Sequence, residues 1–279
     1  MKAYIKYREK QCWKVTNMDY NPKGFIKGLC SKGERLDGRK LDEYRNITVE
    51  LGVSSRSAEG SARVRIGDTE VVAGVKLSAD KPYPDRPDEG TIIVNVELLP
   101  LASPDFESGP PSIDAIGLSR VVDRGIRESK ALNFNKLVIE KGEKVWMVFI
   151  DIYPLNNAGN IADAASLAAM AALQDAVFPK YDKKTELVTY EKTTKKLPIE
   201  RVPISTTILK IGDKLLVDPT VEEEYVADAS LMVSTLEKNQ VCAMQKHGRE
   251  PLSINEVDAI VTLSLNKRDI LKNALENAR

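Results

Sequence analysis

Three arginines in the stretch SRVVDRGIRES have the residue type and the spacing of a phosphate-binding surface. Arg120, Arg124 and Arg127 stand at i, i+4 and i+7, so a helix would carry their guanidinium groups on one face. A planar guanidinium group binds two phosphate oxygens at once, and a row of them could follow a nucleic-acid backbone. The alternative is a solvated face with ion pairs at i, i+4. Those pairs would be Asp123–Arg127 and Arg124–Glu128. Spacing alone favours the solvated face.

A second charged stretch, VDPTVEEEYVADAS at 217–230, is acidic. Its carboxylates are Asp218, Glu222, Glu223, Glu224 and Asp228. Carboxylate oxygens are ligands that Mg²⁺ accepts, and such an ion would serve phosphoryl chemistry. The alternative is the start of an acidic helix, because glutamates in a first turn interact favourably with the helix dipole. The residue pattern favours the helix start over the metal site.

The turn NNAGN at 156–160 lies between a predicted strand and a predicted helix. Backbone N–H groups at a helix start can hold an anion. This turn contains one glycine and carries no lysine or arginine to strengthen that hold. Asn160, followed three residues later by Asp163, instead predicts a helix cap.

The overall composition limits what these sites can be. The chain has 41 Lys and Arg residues and 41 Asp and Glu residues, so a polyanion site must be a local basic patch. The three cysteines (Cys12, Cys30 and Cys242) have no metal-ligand spacing, which favours reduced thiols in the cytoplasm. No apolar stretch approaches the ~18 residues of a membrane span. One histidine, His247, offers no catalytic triad, and no cofactor or metal is expected.

Hydrophobic periodicity predicts a mixed α+β chain. The predicted elements, in chain order, are a strand at 47–53, a hairpin at 61–78, a strand at 91–100, a helix at 113–132, a strand pair at 136–154, a buried alanine-rich helix from 160, an exposed hairpin or loop at 180–197, a hairpin at 205–218, a strand at 240–248 and a helix at 253–276. Each hairpin turns at an Ile-Gly-Asp sequence, at Gly67 and at Gly212. This repeat suggests two related β-rich halves.

Three long stretches resemble the RNase PH family. They are GERLDGRKLDEYR at 33–45, PDEGTIIVNVELLPLASPDFESGPPS at 87–112 and IGLSRVVDRGIRES at 116–129. The chain is most similar to the non-phosphorolytic, RNase PH-like subunit of the archaeal exosome ring, over roughly residues 31–275.

The resemblance implies an RNase PH-like fold of the α+β class, also described as ribosomal protein S5 domain 2-like. In this fold two β-rich halves carry packed helices. The expected organisation is an N-terminal segment of uncertain order at 1–30, a first half at 31–180 and a second half with the last long helix at 181–279.

The resemblance also implies a function. Active and inactive subunits alternate as three heterodimers in a hexameric ring, to which RNA-binding cap proteins attach. The active RNase PH-type subunit degrades RNA from its 3′ end with phosphate as the attacking group. Arg120 and Arg124 match the pair by which the inactive subunit holds RNA phosphates, and Arg127 extends that stripe.

Two departures from the active type indicate that this chain is not catalytic. A neutral turn, Asn157-Ala158-Gly159-Asn160, replaces a Gly-Gly-Thr-Arg type of phosphate loop. The active subunit also has two aspartates six residues apart. The nearest match in this chain is Glu224 and Asp228, which are four residues apart. A phosphate nucleophile needs cationic donors to position it, and this turn has none.

Two rival hypotheses stay open at this point. One is an autonomous phosphate-dependent 3′-to-5′ exoribonuclease that uses Glu224 as its acid and Asp228 as a metal ligand. The other is a scaffold subunit that makes no contact with RNA.

Overall fold

The first half of the chain forms one six-stranded sheet. The computed structural model describes residues 22–182, 185 and 187–278. The strands are β1 (Ile47–Leu51), β2 (Gly60–Ile66), β3 (Thr69–Asp80), β4 (Thr91–Val96), β5 (Val138–Glu140) and β6 (Lys144–Asn156). Their order is β1-β2-β3-β6-β4, with β5 paired to the start of β6. Strand β4 is parallel to β6, and the other pairs are antiparallel.

The second half forms a ribbon and a smaller sheet. The ribbon pairs β7 (Val177–Asp182) with β8 (Leu187–Lys196) and overlaps the exposed hairpin or loop predicted at 180–197. The sheet has the order β10-β9-β11-β12 and is antiparallel throughout. Its strands are β9 (Ile204–Ile211), β10 (Lys214–Val217), β11 (Ala229–Leu236) and β12 (Gln240–Gly248). The expected boundary at residue 180 falls within β7 and stays a prediction.

Three of the helices contact both sheets. The helices are α1 (Pro22–Ser31), α2 (Ile113–Glu128), α3 (Ile161–Asp175), α4 (Val221–Val226) and α5 (Ile254–Glu276), with a 3-10 turn at Phe134–Leu137. Helix α2 contacts β4 and β12, α3 contacts β2, β3 and β9, and α5 contacts β1, β9 and β11. Each of these three helices therefore joins the first sheet to the second, which confirms the α+β class. No helix in the described part of the chain is long and apolar enough to span a membrane.

Helix α3 is the buried alanine-rich helix that the sequence predicts. Its residues from Asp163 to Leu173 are all buried. Small side chains allow strand β2 to approach the helix closely. A Cβ added at Gly60 would stand 2.3 Å from the Ala172 carbonyl oxygen, so only glycine fits there. The two sheets thus pack around a narrow central helix.

Helix α1 lies at the end of the N-terminal segment 1–30, whose order stays a prediction. Ile26 and Cys30 of this helix are buried, and they pack with Leu209, Leu216 and Val226 of the second half. The short sequence PKGFIKGLCS has too few apolar residues for its periodicity to be recognised. The rest of the predicted segment, residues 1–21, lies outside the described residues.

Candidate nucleic-acid interface

Helix α2 carries Arg120, Arg124 and Arg127, which we call the arginine stripe. The Ser112 hydroxyl caps its start by accepting a hydrogen bond of 3.2 Å from the Ala115 N–H. Val122 and Ile126 are buried on its inner face, and Gly125 lets the helix approach β11, since a Cβ there would lie 3.1 Å from the Ser234 hydroxyl. The helix ends at Glu128, before the predicted end at 132, because Lys130 adopts a left-handed conformation with φ 54°.

Arg120 and Arg124 are exposed on the outer face of α2. Arg120 forms no hydrogen bond or ion pair with any residue that the structure describes. Arg124 donates one hydrogen bond of 2.7 Å, from Nη1 to the Gln245 side-chain oxygen on β12. The ion pair between Arg124 and Glu128 that a solvated face would favour is absent among the described residues. These two guanidinium groups therefore keep most of their donors for an external partner.

Arg127 stands in a different environment. Its Nη2 and Nε donate to the Asp123 carboxylate at 2.8 and 3.1 Å, and Nη2 also donates to the Ile92 carbonyl of β4 at 3.0 Å. Its guanidinium carbon lies 5.9 Å from the centre of the Phe134 ring. Arg127 thus braces α2 against β4 with much of its hydrogen-bonding capacity engaged. A role for Arg127 in RNA binding stays a prediction.

The acidic stretch does not gather its carboxylates into a metal site. Among the described residues there is no group of three or more His, Cys, Asp or Glu side chains placed to hold an ion. Glu222, Glu223 and Glu224 instead begin helix α4, where the Glu223 carboxylate accepts a hydrogen bond of 2.9 Å from the Thr220 N–H. Asp228 pairs with Lys27 at 2.6 Å. The three glutamates thus form the acidic helix start that the residue pattern favours.

An arginine-rich segment at residues 35–45, which we call the arginine strap, holds this acidic stretch. Arg35 and Glu223 form a buried pair, with Nε–Oε1 at 2.8 Å and Nη2–Oε2 at 2.5 Å. Arg39 donates to one carboxylate oxygen of Asp218 at 2.8 Å, and Arg45 donates to both of its oxygens at 2.8 and 2.9 Å. Burial alone would raise the pKa of Asp218, but hydrogen bonds and charge from Arg45 hold it below its usual value.

The turn before α3 is closed by the acidic stretch. The Asn160 N–H donates to the Glu224 carboxylate at 2.9 Å. Gly159 has φ 89°, and a Cβ added there would stand 2.4 Å from the Pro219 carbonyl oxygen. Arg45 lies beside the turn, but it donates to the carbonyls of Ala158 and Gly159 at 2.7 and 3.1 Å.

Asn160 does not cap α3 in the predicted way. It adopts a left-handed conformation with φ 59°, and its side chain forms no cap hydrogen bond. The amide instead donates to Asp163 at 3.1 Å and to Asp218 at 2.9 Å. The two N–H groups of the amide serve two buried carboxylates, so the side chain turns inward and not toward the first helical N–H groups. Asn160 therefore occupies the predicted N-cap position without making the side-chain cap hydrogen bond.

Two carboxylates near this turn have raised pKa values. Burial raises the pKa of Asp163 to about 7, although its carboxylate accepts hydrogen bonds of 2.8 Å from both the Tyr44 hydroxyl and the Thr207 N–H. Crowding by the surrounding protein also raises the pKa of Glu224 to about 7, against the opposing effects of the Asn160 N–H and Arg45. Part of Glu224 is exposed, and water there favours the ionised form.

Comparison with known proteins decides the family. Residues 43–179 match the 3′ exoribonuclease family, domain 1, and residues 201–267 match domain 2 of the same family. The chain belongs to the RNase PH family. The RNase PH-like fold that the sequence resemblance implies is thereby confirmed.

Several RNase PH family members are similar over most of their length. The exosome complex component Rrp42 of Methanocella arvoryzae is 48% identical over 254 residues, which cover 90% of this chain and 94% of the relative. The protein of the same name from Pyrococcus furiosus is 45% identical, with coverage of 91% and 94%. A chain in the solved structure of the Archaeoglobus fulgidus exosome with RNA bound to the active site has a TM-score of 0.84 and 46% identity, with coverage of 90% and 96%. A chain of an archaeal exosome core has a TM-score of 0.81 and 42% identity, with coverage of 92% and 96%.

The arginine strap is the part of the site that sequence reasoning missed. The stretch at 33–45 contributed to the recognised RNase PH resemblance, but its arginines follow no helical or strand period. Their partners in the acidic stretch lie more than 170 residues away, as in the Arg45–Asp218 pair. Tyr44 within the strap was the available signal, since an apolar aromatic residue in a charged loop marks an anchored segment.

Proposed function

We propose that this chain is a non-catalytic subunit of an exosome ring, in which Arg120 and Arg124 hold RNA phosphates for a neighbouring active subunit. The observation that carries the proposal is the pair of exposed guanidinium groups on α2, which have no carboxylate partner among the described residues. The similarity to exosome components, one of them in a structure with RNA bound, supports RNA as the partner.

The geometry of the pair suits a nucleic-acid backbone. Residues four apart on a helix are separated by about 6 Å along its axis. Two guanidinium groups at that separation can bind neighbouring phosphates of one strand. Phosphate contacts position the strand without reading its bases, so the surface would accept RNA of any sequence. A scaffold subunit that makes no contact with RNA would not require these two exposed guanidinium groups.

The turn at 157–160 supports the non-catalytic part of the proposal. It has no cationic side chain of its own, and nearby Arg45 is neutralised by Asp218. The carboxylates required by an autonomous nuclease are also engaged. Glu224 binds the Asn160 N–H, and Asp228 binds Lys27 and the Gly212 N–H. Neither carboxylate is arranged with the other to activate a phosphate or hold a metal.

We further propose that the partner is an active RNase PH-type subunit, that three such heterodimers form a hexameric ring, and that RNA-binding cap proteins attach to it. Strand β12 supports assembly, because it is an edge strand whose side chains are mostly exposed, and oligomers commonly cover such edges. We place the assembly in the cytoplasm, since neither described cysteine, Cys30 or Cys242, forms a disulfide.

Purification of the chain alone and together with the active subunit of the same genome tests the proposal. The chain alone should not shorten RNA at any phosphate concentration, and the mixture should form a hexamer that does. Release of nucleoside diphosphates by the pure chain, abolished by Glu224→Gln, would establish the autonomous nuclease instead. A mixture that contains only monomers would contradict the proposed ring.

A further inference from the structure

The arginine stripe meets the second half of the chain at Arg124. Helix α2 approaches β11 closely at the next residue, Gly125, where an added Cβ would lie 3.1 Å from the Ser234 hydroxyl. Ser234 pairs with Ala243 of the neighbouring strand β12, and Gln245 lies two residues further along this strand without a change of register. Paired residues, and residues two apart on one strand, share a face of the sheet. Gln245 therefore faces α2 beside this close contact, where its side chain reaches Arg124.

The two neighbours of the Gln245 amide select the same orientation of that amide. Its Nε2 donates a hydrogen bond to the Lys246 carbonyl at 3.1 Å, and its Oε1 accepts one from Arg124 Nη1 at 2.7 Å. A carbonyl only accepts and a guanidinium group only donates, so rotation of the amide by half a turn would lose both bonds. The backbone of β12 thus keeps the acceptor oxygen directed at Arg124.

This contact leaves Arg124 ready to bind a phosphate. The bond engages Nη1, whereas the edge formed by Nε and Nη2 has no partner among the described residues. Such an edge of two parallel donors binds two phosphate oxygens at once. A guanidinium group that is already oriented loses less rotamer freedom when RNA binds. The amide is also neutral, unlike the Asp123 carboxylate that holds Arg127, so Arg124 keeps its full positive charge.

We propose that Gln245 is a positioning residue for RNA binding, which orients the guanidinium group of Arg124 toward the RNA backbone without neutralising it. The inference rests on the proposed role of Arg120 and Arg124, and it adds the second half of the chain to the RNA-binding surface. Arg120, one turn earlier on α2, has no such support among the described residues. Removal of the Gln245 acceptor should therefore act on RNA through Arg124 alone.

Fluorescence titration of RNA with the assembled ring at several salt concentrations tests the proposal. Gln245→Ala and Gln245→Met both remove the acceptor, and the second variant does so with little change in size. Each should weaken binding by about threefold to tenfold, the range of one hydrogen bond, and leave the plot of log affinity against log salt with the same slope, because no charge is lost. Gln245→Glu should instead pair with Arg124 and neutralise it, which flattens the slope by ~0.7.

The matched controls are Gln240→Ala and Gln240→Glu, which make the same changes at an exposed position five residues earlier on β12. Both controls should leave affinity and slope nearly unchanged. A double-mutant cycle gives a readout that a purely structural role would not move. When Arg124 is already replaced by alanine, Gln245→Ala should weaken binding no further.

The proposal is overturned if rings that contain Gln245→Met bind RNA as tightly as the wild type, or if Gln240→Ala weakens binding as much. It is also overturned if Gln245→Ala weakens binding equally with and without Arg124. These results are distinct from a failure of the proposed function. Unchanged RNA binding by Arg124→Ala would refute both proposals, whereas a loss with Arg124→Ala and none with the Gln245 variants would refute only the role of Gln245.

Discussion

Asp123 holds Arg127 by two hydrogen bonds, at 2.8 and 3.1 Å, one helical turn away on α2. This pair divides the arginine stripe into two functions. Arg127 continues to the Ile92 carbonyl and serves the fold, whereas Arg120 and Arg124 project from the same helix without a carboxylate partner among the described residues. Of the two ion pairs expected for a solvated face, Asp123–Arg127 forms, and Arg124–Glu128 does not form among the described residues.

Replacement of Arg127 by alanine should lower the free energy of unfolding by about 1 kcal/mol, from the lost helix pair and the lost bond to Ile92. Arg120→Ala on the same helix should change it by less than about 0.5 kcal/mol. Urea denaturation of the two variants measures the difference. Equal stability of both variants would mean that the brace is not formed in solution.

Replacement of both Arg120 and Arg124 by alanine should weaken RNA binding by the assembled ring. Each lost phosphate contact should flatten the plot of log affinity against log salt by ~0.7, so the pair should change the slope by roughly 1.4. The loss should be similar for all RNA sequences. Fluorescence titrations at several salt concentrations provide the affinities.

The matched control for that experiment is Arg56→Ala with Arg86→Ala, which removes the same charge from exposed positions outside α2. The control should leave the slope nearly unchanged. An unchanged slope in the Arg120 and Arg124 variant, or an equal change in the control, would reduce the stripe to a solvated face.

Replacement of Arg35 by alanine should destabilise the protein by about 3–5 kcal/mol, because it leaves the Glu223 charge buried without its partner. The two side chains are 0% and 1% exposed. Lys136→Ala is the control, since its pair with Glu200 is exposed and should contribute about 1 kcal/mol or less. A denaturation midpoint that shifts no further for Arg35→Ala than for Lys136→Ala would be inconsistent with the buried pair.

Gly159 and Gly212 both have a positive φ, so substitutions at these two positions separate the cost of backbone strain from the cost of a steric clash. Gly212 has φ 61° and open space around it, whereas the added Cβ at Gly159 would meet the 219–220 backbone within 2.4–2.7 Å. Gly212→Ala should therefore cost about 1 kcal/mol. Gly159→Ala should cost several times more, because the second half of the chain must move. In thermal denaturation, Gly159→Ala should lower the melting temperature more than Gly212→Ala does. The reverse order would contradict the close contact between Gly159 and the 219–220 backbone.

Asp163 should make stability depend on pH. Burial raises its pKa from an ordinary 3.8 to about 7, so the folded chain keeps a proton that the unfolded chain has released. Its contribution is complete below about pH 4 and is lost as pH rises to 7, with a slope of up to ~1.4 kcal/mol per unit. Asp163→Asn should remove the part of the slope that Asp163 contributes and leave the part that comes from Glu224. Parallel stability profiles of the variant and the wild type between pH 5 and 8 would contradict the raised pKa.

The elements most accurately predicted from the sequence are those with a strong local signal. The hairpins at Gly67 and Gly212 both form, because each glycine supplies the positive φ that a tight turn requires. The alanine-rich helix α3 is buried as its composition indicates. Strand β4 ends at Val96, before the predicted end at 100, although the apolar run continues. Helix α1 was missed because its burial depends on partners in the second half.

The arginine stripe was recognisable because helical spacing is a local property, and the family resemblance then gave it a partner. The arginine strap and the closed turn at 157–160 could not be recognised in this way. The inward rotation of Asn160 depends on Asp218, 58 residues further along the chain, and on the charge of Arg45. Periodicity carries no information about such distant pairs. The sequence therefore shows that the turn at 157–160 is unusual, but it does not show which distant side chains contact this turn.

The arginine strap has a consequence for the order in which the chain can fold. Arg35 is synthesised early, yet its partner Glu223 lies 188 residues later, and Asp218 lies 173 residues after Arg45. In a nascent chain these three arginines therefore lack their partners in the acidic stretch until nearly all of the chain has left the ribosome. Contacts of such long sequence separation carry a large loop-closure cost and form late. The strap can form its ion pairs only after both halves have emerged, so these pairs mark the completion of folding. A chain that ends before residue 218 would lack the carboxylates that join the first half to the second.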